Sequence, residues 1–241
     1  MRWRHGGFMF GPAHGNVSVP LDETVWAADN GCFTQGASFS VERWLAYLER
    51  WRAYRATCLF AVLPDVPFDH DATVARSLPH ARAVRELGYT PALAIQEGAT
   101  VQNVPWESGI GAVFIAGGKP RPAPTPLWGD IPQERAKATR AFKTGPTAWA
   151  ICREARRRGL HVHVARCNSR RSVQAAHDMG ADTVDGTMLA FAPDQNARRM
   201  ERWFEKLCAH PYERRAIVAG GDPRFSVCRD CRREVYELWS A

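Results

Sequence analysis

The sequence predicts an α/β fold, a (β/α)8 barrel of the TIM type, whole or trimmed, with a small C-terminal appendage. Three observations predict it. Short apolar runs alternate with helical stretches about six times, the pattern of parallel strands with helices outside them. The runs are almost continuous in apolar residues, as in strands buried on both faces. Each run also ends in a polar or glycine tip, and in a barrel all such tips converge on one mouth. An open sheet would spread them along an edge, where only neighbours could cooperate.

The elements follow in order. Residues 1–24 are rich in Gly, Pro and His and read as loop around one short strand at 8–10. Residues 25–28 are a short apolar run that ends in Asp29-Asn30-Gly31. Ser40 is placed to cap a helix, with Val41, Trp44, Leu45 and Leu48 at helical spacing. Residues 58–63 form a strand closed by Pro64-Asp65-Val66, and 71–87 form a helix that Pro79 can break. A strand at 91–95 ends in Gln96-Glu97-Gly98, and one at 112–115 ends in Ala116-Gly117-Gly118. The proline-rich stretch 120–135 reads as an irregular excursion. A helix at 145–158 leads to a strand at 160–165 closed by Arg166-Cys167-Asn168. A helix at 169–179 then feeds Gly180-Ala181-Asp182-Thr183-Val184-Asp185-Gly186-Thr187, a short strand with an acidic tip. The last helix covers 195–207. The chain therefore divides into a barrel domain, 1–207, and a basic, cysteine-bearing appendage, 208–241.

Composition narrows the class. A chain of 241 residues with 45% hydrophobic content can bury one large core. No apolar run approaches the roughly 20 residues of a membrane span, so no membrane partner is expected. The N-terminus, Met1-Arg2-Trp3-Arg4-His5, has no apolar stretch of the kind that makes a secretion signal, so a cytoplasmic protein is expected. Net charge is +7. Most of the cations are arginines, whose forked guanidinium suits phosphates, so a nucleic-acid partner is expected. The seven cysteines read as reduced thiols. Cys228 and Cys231 form a C-x2-C pair that Cys208 and His210 could complete as a structural zinc site. The alternative is free thiols on the appendage.

The tips carry the chemistry. Asp29, Asp65 and Asp185 lie on separate tips without a histidine-rich cluster, which argues against a catalytic metal. No phosphate-cradling glycine motif is present. An amide and an acid, Gln96 and Asp65, can match the hydrogen-bonding edge of a guanine-like ring. Gly117 and Gly118 offer bare backbone for close approach of a flat ligand. Two further acids could divide the work at a glycosidic carbon, one as nucleophile and one as proton donor. His161 and His163 alternate on one strand and read as core rather than as ligands.

Taken together, these motifs resemble the queuine tRNA-ribosyltransferase superfamily. They are most similar to its short viral and bacterial branch, the deazaguanine DNA transglycosylases. The resemblance rests on 26–31, 64–66, 95–98, 114–118, 161–169 and 180–187, in that order. It implies that Asp185 is a nucleophile that holds the sugar covalently and Asp29 the acid/base. It implies that Asp65, Gln96, Gly117 and Gly118 bind the purine, and that Lys143, Arg166 and Asn168 hold phosphates. The partners implied are DNA and a free 7-deazaguanine base, with no cofactor for the chemistry. A tRNA-directed exchange enzyme and a non-catalytic nucleic-acid-binding barrel are the alternatives.

Overall fold

A computed structural model describes residues 6–12, 23–117, 142–207, 215–217, 225–228 and 234–236. Seven parallel strands form one sheet in strictly sequential order. They are β1 (Phe8–Phe10), β2 (Trp26–Ala28), β3 (Cys58–Val62), β4 (Pro91–Gln96), β5 (Ala112–Gly117), β6 (His161–Val164) and β7 (Thr183–Val184). The sheet curls as part of a barrel, and β1 and β7 are its two edges among the described residues. Five longer helices accompany it: α1 (Val41–Arg50), α2 (His70–Glu86), α3 (Pro146–Arg157), α4 (Arg170–Asp178) and α5 (Pro193–Glu205). A separate antiparallel sheet consists of β8 (Arg215–Ile217), β9 (Phe225–Cys228) and β10 (Glu234–Tyr236).

The strands alternate between two apolar layers, as a period of two requires. Ala61, Leu63, Leu93, Ile95, Val113, Ile115, Val162 and Val164 pack outward in the larger cluster, with the helices. Ala27, Phe60, Val62, Ala92, Ala94 and Ala112 form the inner cluster, against Met9, Phe114 and Ala116. Alanines on β4 make room for the rings of Phe60 and Phe114, the small-with-large filling that a narrow barrel needs. That parity fixes the tips. Two residues beyond inward Ala27 stands Asp29, two beyond Ala94 stands Gln96, and two beyond Thr183 stands Asp185.

Helices α1, α2 and α4 start where side chains cap them. Ser40 Oγ accepts from the N–H of Arg43 at 3.2 Å, and Asp69 Oδ1 accepts from that of Ala72 at 3.0 Å. Trp44 and Leu48, one turn apart, are fully buried on α1. Helix α2 runs unbroken through Pro79, where the sequence allowed a break. Its buried stripe is small and polar, and it is tied to the β3 tip: Ser77 Oγ donates to the Pro64 carbonyl at 2.7 Å and Thr73 Oγ1 to that of Val66 at 2.9 Å. These bonds hold the loop carrying Asp65. Cys32, Cys58, Cys152 and Cys167 are free thiols. The excursion at 120–135, Gly118, Cys208, His210 and Cys231 lie outside the described residues, as does the side chain of Cys228.

Candidate active site

At the C-terminal ends of the strands lies a cavity of about 570 Å³ lined by Asp29, Asp65, Gln96, Gly117, Lys143, Arg166, Asn168 and Asp185. Every sequence-predicted catalytic and purine-binding residue that is described therefore shares one space. Phe33, Phe68 and Phe114 add aromatic surface. Among the described residues three non-glycines have positive φ, and two of them line it, Phe68 (69°) and Arg166 (56°). Backbone held in that region costs energy and gathers at ligand sites.

One side of the cavity is an interlocked amide–carboxylate set. Asp65, 7% exposed, accepts on Oδ1 from Asn30 Nδ2 at 2.9 Å and on Oδ2 from Gln96 Nε2 at 2.6 Å. Gln96 Oε1 accepts from the Phe68 N–H at 3.1 Å, and Asn30 Oδ1 from that of Cys32 at 2.7 Å. Burial pushes the Asp65 carboxyl up; Asn30 and Gln96 pull it back, and Asp29 adds to the rise. Asn30 was not singled out from the sequence, although it sits one residue after Asp29 in the tip.

The other side surrounds Asp185, which is 28% exposed. Its Oδ1 accepts from the Arg166 N–H and stands 3.4 Å from His163 Nε2. Its backbone carbonyl accepts from the Cys167 N–H at 2.6 Å. Burial pushes this carboxyl up, but His163, the Arg166 N–H and Lys143 together hold it below the usual range. The environments thus push Asp65 and Asp185 in opposite directions, the pattern by which acid and base roles separate.

Lys143, expected at the phosphates, is only 8% exposed and donates from Nζ to the Ala165 carbonyl at 2.7 Å. Burial lowers its ammonium to about 8, with Cys167 and Asp185 opposing. Arg166 is exposed, with its guanidinium 4.4 Å over the Phe33 ring. Asn168 is exposed as well, and its Oδ1 accepts from the Thr187 N–H at 2.7 Å, clasping the loop that follows Asp185.

His161 and His163 lie inside the sheet, as expected, and His163 also reaches a residue that lines the cavity. His163 stacks on Phe114 at 4.8 Å between ring centroids and faces Asp185. The signal was its parity with the strand that precedes Asp185: His163 pairs in register with Thr183.

The described residues contain no cluster of His, Cys, Asp and Glu able to hold a metal ion. No family model and no curated protein matches the chain. Solved structures similar to it include the BexX/CysO complex of Amycolatopsis orientalis, at 21% identity and TM-score 0.44 over 81% of this chain and 77% of that one. The HpcH/HpaI aldolase of Desulfitobacterium hafniense DCB-2 is similar at 11% identity and TM-score 0.40, over 84% of this chain and 93% of that one.

Proposed function

We propose that the chain is a trimmed (β/α)8-barrel transglycosylase of the queuine tRNA-ribosyltransferase type that exchanges guanine in DNA for a 7-deazaguanine. The observation that carries the reading is that Asp29 and Asp185 line one cavity with Asp65, Gln96 and aromatic rings. A flat heterocycle bearing donors and acceptors along one edge suits such walls.

In this reading the target nucleotide leaves the stack, at a cost of a few kcal/mol, and enters the cavity. Oδ2 of Asp185, the oxygen that neither Arg166 nor His163 engages, attacks C1′. The C1′–N9 bond breaks as the ester bond forms, and guanine takes a proton from Asp29. N9 of the incoming 7-deazaguanine then attacks C1′, its proton passes to Asp29, and the ester opens. The two displacements restore the β-linkage with no oxidant or cofactor. Arg166 and other exposed arginines hold the phosphates.

Nucleoside mass spectrometry of duplex DNA incubated with the chain and a 7-cyano-7-deazaguanine tests this. Incorporation by the wild type and none by Asp185→Asn is the expected result. Incorporation into unmodified tRNA but not DNA would move the substrate to tRNA. No exchange on either would overturn the transglycosylase reading.

Lys143 favours a second reading. A buried ammonium lowered to about 8 in a barrel cavity is also what imine-forming lysines need. Borohydride trapping of a small carbonyl compound on Lys143 would support that chemistry instead.

A further inference from the structure

A row of polar groups runs along the inner face of β6 and β7 and ends at Asp185. His161 Nε2 lies 2.8 Å from Thr183 Oγ1, and His163 Nδ1 lies 2.8 Å from the same oxygen. His163 Nε2 then stands 3.4 Å from Asp185 Oδ1, with no aligned hydrogen bond of its own. His163 is buried, and Phe60 and Phe114 hold its ring at 5.1 and 4.8 Å between centroids. The ring has no freedom to seek another partner.

With both imidazoles neutral, the row has two outcomes at His163. Thr183 has one hydroxyl proton and two lone pairs and faces two ring nitrogens, so it donates to one and accepts from the other, or accepts from both. If it donates to His163 Nδ1, the proton of His163 sits on Nε2 and points at the carboxylate. If it donates to His161 or accepts from both rings, His163 carries its proton on Nδ1, and the Nε2 lone pair faces the lone pairs of Asp185. In a dry interior that second arrangement is repulsive. Burial holds His161 neutral, against the pull of Asp182. His161 therefore donates to Thr183, and Thr183 to His163. Among the described residues the charged or titratable groups near His163 are Asp185 and His161, with Lys143 beyond the first and Asp182 beyond the second; from β3 and β5 the rings of Phe60 and Phe114 face it.

We propose that His163, in the tautomer set by Thr183, is the positioning residue that keeps Asp185 ionised and its Oδ2 aimed at the sugar. This rests on the transglycosylase reading for the attack itself, while the tautomer stands on geometry alone.

Two measurements test it. Histidine 15N NMR on the full chain should show His163 as the Nε2–H tautomer. Its Nε2–H resonance should move in Asp185→Asn, and Thr183→Val should mix the tautomers. Trapping of the covalent DNA adduct supplies the kinetic arm. His163→Phe keeps the stack and His163→Asn keeps a partner for Thr183, yet both should slow adduct formation on the order of 100-fold at unchanged KM. His163→Gln, whose amide reaches the Nε2 position, should recover part of the rate. An Nδ1–H tautomer, or His163→Phe at the wild-type rate, overturns the proposal. A wild type that forms no adduct at all overturns the transglycosylase reading instead, and the NMR result then decides the row by itself.

Discussion

Gln96 donates to Asp65 at 2.6 Å, so the two residues expected to read a purine edge already read each other. The pairing is directional. Gln96 Oε1 is committed to the Phe68 N–H and Asn30 Oδ1 to the Cys32 N–H, so both amides must present their NH2 groups to Asp65. Only a carboxylate can accept on both oxygens. Asp65→Asn, though isosteric, sets an NH2 group against one of these donors. Urea unfolding should show a loss of about 1–3 kcal/mol. Unchanged stability would mean that the amides are free to turn over.

His70 gives the fold an acid sensitivity. It is 1% exposed, and neither ring nitrogen makes an aligned hydrogen bond among the described residues. Burial lowers its pKa from the ordinary 6.5, and Asp71, the Asn103 backbone and Asp69 offset this only in part. Between the folded and unfolded values the unfolded chain binds more protons, so stability rises with pH there and falls as pH drops below about 6.5. His70→Phe removes the titrating group and the orphaned nitrogens. It should flatten the pH dependence of the melting temperature between pH 7 and 5, at little cost at pH 7. A slope equal to the wild type's would exclude His70 as its source.

Most of the strand order was legible in the sequence because buried parallel strands are marked by apolar runs, and these survive any detail of packing. The acids at Asp29 and Asp185 were legible for the same reason, since each ends such a run. Lys143 was not, because one lysine in a basic stretch looks the same whether its ammonium faces water or the Ala165 carbonyl. The contact of His163 with Asp185 was not legible because its neighbours are across the sheet rather than along the chain. Its role depends on register with Thr183, a relation that alternation within one strand cannot supply. Pro79 shows the reverse failure: tertiary packing of α2 overrode a local helix breaker.

Arg166 combines two properties that substitution can separate. Its backbone is left-handed at φ 56°, and its guanidinium lies over Phe33. Arg166→Gly and Arg166→Ala both delete the guanidinium, but only alanine keeps the steric cost of that backbone. The glycine variant should be the more stable of the two by about 1 kcal/mol. If Arg166 holds a phosphate, both variants should weaken DNA binding and reduce the slope of log K against log salt by about 1. Equal stabilities would mean that the loop relaxes; an unchanged salt slope would remove Arg166 from the DNA contacts.

Gly186 follows Asp185 at a point where no side chain fits. A Cβ there would lie 2.6 Å from Asn168 Oδ1 and 3.1 Å from the Cys167 carbonyl oxygen. The first atom clasps the Thr187 N–H, and the second belongs to the residue whose N–H holds the Asp185 carbonyl. Alanine at 186 must therefore turn the Asn168 amide out of its clasp and press on the Cys167 carbonyl, and the loop that carries Asp185 shifts with it. Gly186→Ala should keep the fold, lose about 1–2 kcal/mol of stability through the broken clasp, and reduce base exchange far more than that loss explains. Asn168→Ala breaks the clasp without the clash, so it should match Gly186→Ala in stability while retaining more activity. If the two variants are equally inactive, the clasp itself and not the displacement of Asp185 is what the site depends on.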